Sequence, residues 1–117
     1  FEKMKNSDKT INHLGLKLNG KIYGLAPVQA EGTIDTNQFY FRAKYDEWSF
    51  AISENPEFDP VDIQNIENGL KYGFYKESEY AKKGSYSASY MDPTETEKII
   101  IECCKEYQEI KKAKKRN

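Results

Sequence analysis

Between Gln38 and Tyr45 the chain alternates without exception. Phe39, Phe41, Ala43 and Tyr45 fall on one side of an extended strand, and Gln38, Tyr40, Arg42 and Lys44 on the other. Successive strand residues point to opposite faces, so this segment needs a core on one side and water or a partner on the other. Its neighbours fit that requirement. A tight turn at Thr36-Asn37 sets Ile34 beside Phe39 and Gly32 beside Phe41. A second, at Asp46-Glu47, sets Tyr45 against Trp48, Ala43 against Phe50 and Phe41 against Ile52. Both bring apolar side chains together on one face, as a half-buried antiparallel sheet requires.

The remaining segments extend the sheet and cover it. Asn19-Gly20, within HLGLKLNGKIYGL, is a strong hairpin-turn signal, and a turn centred there pairs Leu16 with Tyr23 and Leu14 with Leu25. At Pro27 the apolar parity shifts by one residue, which predicts a bulge or a break between strands. Asp59 as a cap, Pro60 in the first turn and Gly69 as a stop predict a short helix near 60–68, with Ile63, Ile66 and Leu70 on its apolar side. LKYGFYKESEYA and SYSASYM read as two more strands joined around Lys83-Gly84, although the simplest pairing sets Glu77 and Glu79 against Tyr90 and Ala88.

Asp92-Pro93-Thr94-Glu95 opens a C-terminal helix expected over about 93–114. Ile99, Ile100, Cys103, Tyr107 and Ile110 form its apolar stripe; Ile101 lies nearly opposite, and Cys104 sits roughly 90° away with partial exposure expected. The fold class is therefore α+β: an antiparallel β-meander of about five to seven strands with the C-terminal helix packed on one face. Residues 1–12 are expected as a flexible N-terminal segment, 13–114 as a single domain and 115–117 as a basic tail end.

Length and charge narrow the function. The 117 residues suffice for one core without covalent staples. The net charge of −1 hides an asymmetry: residues 111–117 carry five cations, and without them 13 Lys and Arg face 19 Asp and Glu, a body at −6. Cations at a helix C-terminus complement its dipole, which explains the tail without a ligand. No apolar run approaches the roughly 18 residues of a membrane span, and Phe1–Asn12 lacks the apolar centre of a secretion signal. Cys103 and Cys104 are adjacent on a helix and cannot bridge each other, so free thiols in a reducing, cytoplasmic setting are expected.

Catalytic signatures are sparse. His13 is the single histidine, so two-histidine metal sites cannot be assembled, and a strand-end role suits it best. Cys103 and Cys104 sit mid-helix among Glu102, Lys105 and Glu106, where the acids oppose a thiolate. The acids Asp46, Glu47, Glu54, Glu57, Asp59 and Asp62 cluster in loops without calcium-loop spacing, and the glycines form no phosphate cradle. No cofactor or metal is expected. A hydrolase built on loop carboxylates is the third-ranked reading.

Binding ranks first. The sheet face away from the helix displays Gln29, Glu31 and Thr33, then Tyr40, Arg42 and Lys44, then Ser49, Ala51 and Ser53, with Glu31 expected opposite Arg42. Tyr and Arg dominate protein interfaces, and an acidic body is steered toward a basic partner. The leading expectation is a non-catalytic interaction protein that binds a basic protein, in an inhibitor or immunity-type role, through Glu31, Tyr40, Arg42, Lys44, Glu54, Glu57 and Asp59. The second expectation is single-stranded nucleic-acid binding through Tyr40, Arg42, Lys44 and the basic tail, which the net acidity works against.

Overall fold

A computed structural model describes residues 8–63, 73–80, 84 and 86–116. Among these residues six antiparallel strands follow one another in sheet order: β1 (Lys9–His13), β2 (Leu18–Tyr23), β3 (Val28–Ile34), β4 (Asn37–Lys44), β5 (Glu47–Ser53) and β6 (Gly73–Glu79). Helix α1 (Pro93–Arg116) covers one face, completing an α+β domain.

The alternation holds through β4 and fails at Tyr45, which is expected inward beside Trp48 but lies 53% exposed in the turn, while Trp48 pairs with Ala43. Phe39, Phe41 and Ala43 are buried under α1, while Gln38 and Arg42 are exposed on the other face. Both neighbouring registers, however, are displaced by two residues from the expected pairing. Phe41 lies opposite Ala30 and Phe50, and Phe39 opposite Gly32 and Ile52. The turns centre one position earlier, at Asp35-Thr36 and Tyr45-Asp46. Asp35, Thr36 and Tyr45 all take positive φ (49°, 71° and 57°), the left-handed conformation that two-residue hairpins demand. A slip of two keeps every side chain on its face, which is why face assignment and register part company here.

The expected turn at Asn19-Gly20 does not form. Both residues lie within β2, where Gly20 faces Ile11 on β1 and Gly32 on β3. The hairpin instead closes earlier, through a 3₁₀ turn over Leu14–Leu16 capped by His13, whose Nδ1 accepts the Leu16 N–H at 3.3 Å. Part of the segment expected to be flexible, Lys9–Asn12, is thereby edge strand β1. Leu14, with Leu25 the other half of the expected apolar pair, is 85% exposed. The glycine serves close approach instead of chain reversal: a Cβ on Gly20 would sit 2.6 Å from the Glu31 carbonyl oxygen and 2.9 Å from the Phe39 ring. The parity change at Pro27 is a true break, since β2 ends at Tyr23 and β3 begins at Val28.

Asp59 caps a 3₁₀ turn over Pro60–Asp62, closed by buried Ile63; residues 64–68 of the expected helix lie outside the described residues. Ser87–Tyr90, expected as a strand, is also a 3₁₀ turn. Pairing it with β6 would have set acids against its apolar residues; instead the β4–β5 turn takes its N–H groups. Tyr45 O accepts from Ala88 N at 2.9 Å, and the Asp46 carboxylate accepts from Gly84 N and Tyr86 N, both at 2.7 Å.

Beneath α1 a file of aromatic rings runs from Phe39 to Phe50 to Phe74 to Tyr107, with centroids 5.5, 6.3 and 5.7 Å apart. The buried stripe of α1 is Thr96, Ile100, Cys103, Cys104 and Tyr107. It is rotated from the expected one: Cys104 is fully buried, Ile110 is exposed, and Ile101 packs against the core. Thr96 is accommodated because its hydroxyl donates to the Asp92 carbonyl at 3.1 Å. Ion pairs tie α1 to both sheet edges, Lys9–Glu97 at 3.6 Å and Lys76–Glu106 at 2.6 Å.

Candidate functional site

The face opposite α1 carries mostly polar and tyrosine side chains, and the observed register arranges it in rows across the sheet. One row reads Lys21, Glu31, Tyr40, Ala51, Tyr75; the next reads Tyr23, Gln29, Arg42, Ser49, Glu77. Glu31 thus stands opposite Tyr40, and Arg42 opposite Gln29, so the expected Glu31–Arg42 cross-strand pair is not made. The displaced register gives each group another partner. Tyr23 donates its hydroxyl to Glu31 at 2.6 Å, Tyr40 donates to Gln29 at 2.7 Å, and Tyr75 donates to Glu77 at 2.7 Å.

Burial on this face raises all three phenols, and the carboxylate acceptors of Tyr23 and Tyr75 add to it. Burial and then the acceptor Glu31 push Tyr23 well above the usual tyrosine range, and burial with Glu77 pushes Tyr75 up to about 12. Tyr40 is raised first by burial; Arg42 pulls it down, while Glu31 and Asp59 push it up. Two carboxylates from separate segments therefore act on one ring.

Their meeting point is a groove. The chain after β5 folds back over this face, and the Pro60–Asp62 turn contacts β4 and β5, which buries Ala51 and Ser53. The expected open face is accordingly roofed at one end. Between roof and sheet lies a groove of about 430 Å³, lined on the sheet side by Glu31, Thr33, Gln38 and Tyr40 and on the roof side by Asp59, Pro60 and Val61. Val61 forms an apolar rim, half exposed.

The seven expected binding residues separate into groups. Glu31, Tyr40 and Asp59 converge on the groove. Arg42 and Lys44 line a neighbouring depression of about 290 Å³ with Glu47, Tyr75 and Glu77. Glu57 is exposed on the connecting turn. Glu54 points instead to the helix: Tyr107 donates to it in a very short hydrogen bond, and Lys111 pairs with it at 3.0 Å. Asn37 donates to the Tyr107 oxygen at 3.1 Å, so Glu54 belongs to the anchor of α1.

Reasoning from the chain alone missed Tyr23, Tyr75 and Val61 on this face, and an exposed cluster at the end of the sheet. There Tyr45 and Tyr86 meet edge to face at 5.7 Å with Lys44 over the Tyr45 ring at 4.9 Å, and Leu25 and Tyr90 are also exposed. Only the alternation of β6 hinted at Tyr75; the cluster depends on a fold-back that no local pattern marks.

The remaining reactive groups sit in structural places. His13 caps a turn, and Cys103 and Cys104 are buried thiols pushed up to about 12 by burial. Among the loop acids, Asp46 accepts from the Gly84 and Tyr86 N–H groups and Asp59 accepts the Val61 N–H at 3.0 Å. Among the described residues no group of three His, Cys, Asp or Glu could hold a metal ion, and no helix is long and apolar enough to cross a membrane. No family model, curated protein or solved structure matches this chain.

Proposed function

We propose that this protein is a small non-catalytic binding domain that engages a basic protein through the open face of its sheet and the acidic turn that roofs it. The observation that carries this reading is the convergence of Glu31, Tyr40 and Asp59, from two strands and a distant turn, on one accessible groove. Tyrosine supplies large contact area at low entropic cost, and fixed carboxylates supply both steering and selection. The −6 charge of the body favours encounter with cationic surfaces. An inhibitor that covers a basic functional surface fits this size and charge, by analogy of class and not of fold.

The test is affinity capture from the native cell extract with the intact chain and with a Glu57→Lys/Asp59→Lys variant. A basic protein retained by the former and lost by the latter, and whose reconstituted binding weakens steeply with salt, is the expected result. Identical capture by both chains would remove the reading.

A second reading, single-stranded nucleic acid, draws on a different observation: exposed Tyr45 and Tyr86 beside Lys44 and Arg42. The tail contributes less than its charge suggests, because Lys111 is paired with Glu54 and Lys112 with Glu109. Fluorescence titration with short oligonucleotides at low salt tests it; an unchanged signal for both pyrimidine and purine strands ends it.

A further inference from the structure

We infer that the groove between β4 and the Asp59–Val61 turn is a subsite for one arginine side chain, presented by an extended segment of the partner. The inference rests on the reading above and adds the chemical group that is recognised.

Charge and its fixation point to a cation. Glu31 and Asp59 stand on opposite walls, and no Lys, Arg or His is among the lining residues described. Lys21, directly across from Glu31 on β2, is paired instead with Asp8 at 3.4 Å. Each carboxylate is held by one oxygen only: Glu31 Oε2 by the Tyr23 hydroxyl and Asp59 Oδ1 by the Val61 N–H. The other oxygen of each is left for a ligand among the described contacts. The carboxylates are thus oriented before binding, which lowers the entropic cost of engaging them.

Shape and surface chemistry narrow the cation to guanidinium. The Tyr40 ring lies in the groove with its hydroxyl tethered to Gln29 at 2.7 Å, which presents the ring as a fixed surface. A planar guanidinium stacks on such a ring while its several N–H groups reach acceptors on two sides. An ammonium has neither the plane nor the spread. Val61, half exposed at the rim, is placed to cover an aliphatic stem, and Thr33 and Gln38 continue the polar wall. The volume of about 430 Å³ is sufficient for one long side chain with its flanking backbone.

The probes are three blocked peptides, acetyl-Gly-Arg-Gly-amide and its lysine and citrulline counterparts, titrated into the ¹⁵N-labelled chain. Citrulline keeps the planar shape of arginine but loses the charge and carries a carbonyl acceptor in place of one NH₂ donor group. Arginine peptide is expected to shift the amides of residues 31–33, 38–40 and 59–61, with a Kd of about 1–10 mM. Citrulline should bind at least about tenfold more weakly, with lysine between the two. The Glu31→Gln/Asp59→Asn variant should lose about tenfold for arginine while its spectrum stays native, because Gln still accepts from Tyr23 and Asn caps as well as Asp. Shifts elsewhere, citrulline binding as tightly as arginine, lysine matching arginine, or a variant that binds arginine normally would each overturn the assignment. If arginine fails here while the captured protein still depends on Glu57 and Asp59, the subsite falls and the binding reading stands. If arginine binds but no protein depends on the face, the reverse holds.

Discussion

Replacing Gly32 by alanine should destabilise the protein, although β-sheet propensity favours alanine over glycine and predicts the opposite sign. A Cβ at Gly32 would lie 2.0 Å from the Asn19 carbonyl oxygen and 2.5 Å from the Cα of Gly20. Both obstacles are backbone, so no rotamer change relieves them, and β2 must move by roughly 1 Å relative to β3. Ladder bonds around the Asn19–Thr33 and Gly20–Gly32 pairs would stretch with it. Overpacking of this kind costs about 1–3 kcal/mol, and one weakened ladder bond adds about 1. The loss of unfolded-chain entropy offsets about 0.4–1 kcal/mol. The expected net is a destabilisation of about 1–3.5 kcal/mol, or roughly 4–14 °C in Tm for a domain of this size. Thermal and urea unfolding with an unchanged m-value would measure it. Gly15→Ala is the control, since its Cβ would meet only the His13 ring at 3.4 Å, and it should stay within about 0.5 kcal/mol of the native chain. A Gly32→Ala protein as stable as the parent would refute the close approach of β2 and β3.

Asp46→Ala removes the acceptor for the Gly84 and Tyr86 N–H groups; because both are partly solvated, the cost should be about 1–2 kcal/mol, with faster hydrogen exchange at the Ala88 amide. Tyr107→Phe breaks the Asn37–Tyr107–Glu54 chain and should lower stability by about 1–2 kcal/mol in urea titration, while Phe74 keeps its ring contact. The Cys103 and Cys104 thiols should resist a thiol reagent at neutral pH and both react in denaturing guanidinium; native-state modification would contradict their burial. Burial raises both from 9.0 to about 12, so their contribution to stability is complete below pH 9 and declines as pH rises toward about 12; the Cys103→Ser/Cys104→Ser protein should show a flatter stability profile across that window.

Much of the sheet is legible without coordinates because its information is periodic. Phe39, Phe41, Ala43, Phe50 and Ile52 must share a face whatever their partners, and a helix opened at Pro93 with Ile100, Cys103 and Tyr107 on one side must cover that face. What periodicity cannot carry is offset. A two-residue slip leaves the same apolar set inward, so the choice fell to backbone conformation at Asp35, Thr36 and Tyr45, none of them glycine. Asn19-Gly20 misleads for a related reason: glycine permits both a reversal and a close approach of strands, and which one it serves depends on Gly32 and Phe39 lying against it. Cys104 is buried because α1 is covered over a broader arc than the Ile99–Ile110 stripe implies.

The alternation of oily and polar residues, with the apolar stripe of the last helix, was enough to establish an α+β meander with an inward apolar face and a polar outward one. The groove was not accessible that way. Glu31, Tyr40 and Asp59 are brought together by a register and by a turn folding over β4 and β5, and both are long-range events. Local pattern determines which way a side chain points; which side chains meet depends on packing between segments far apart in the chain.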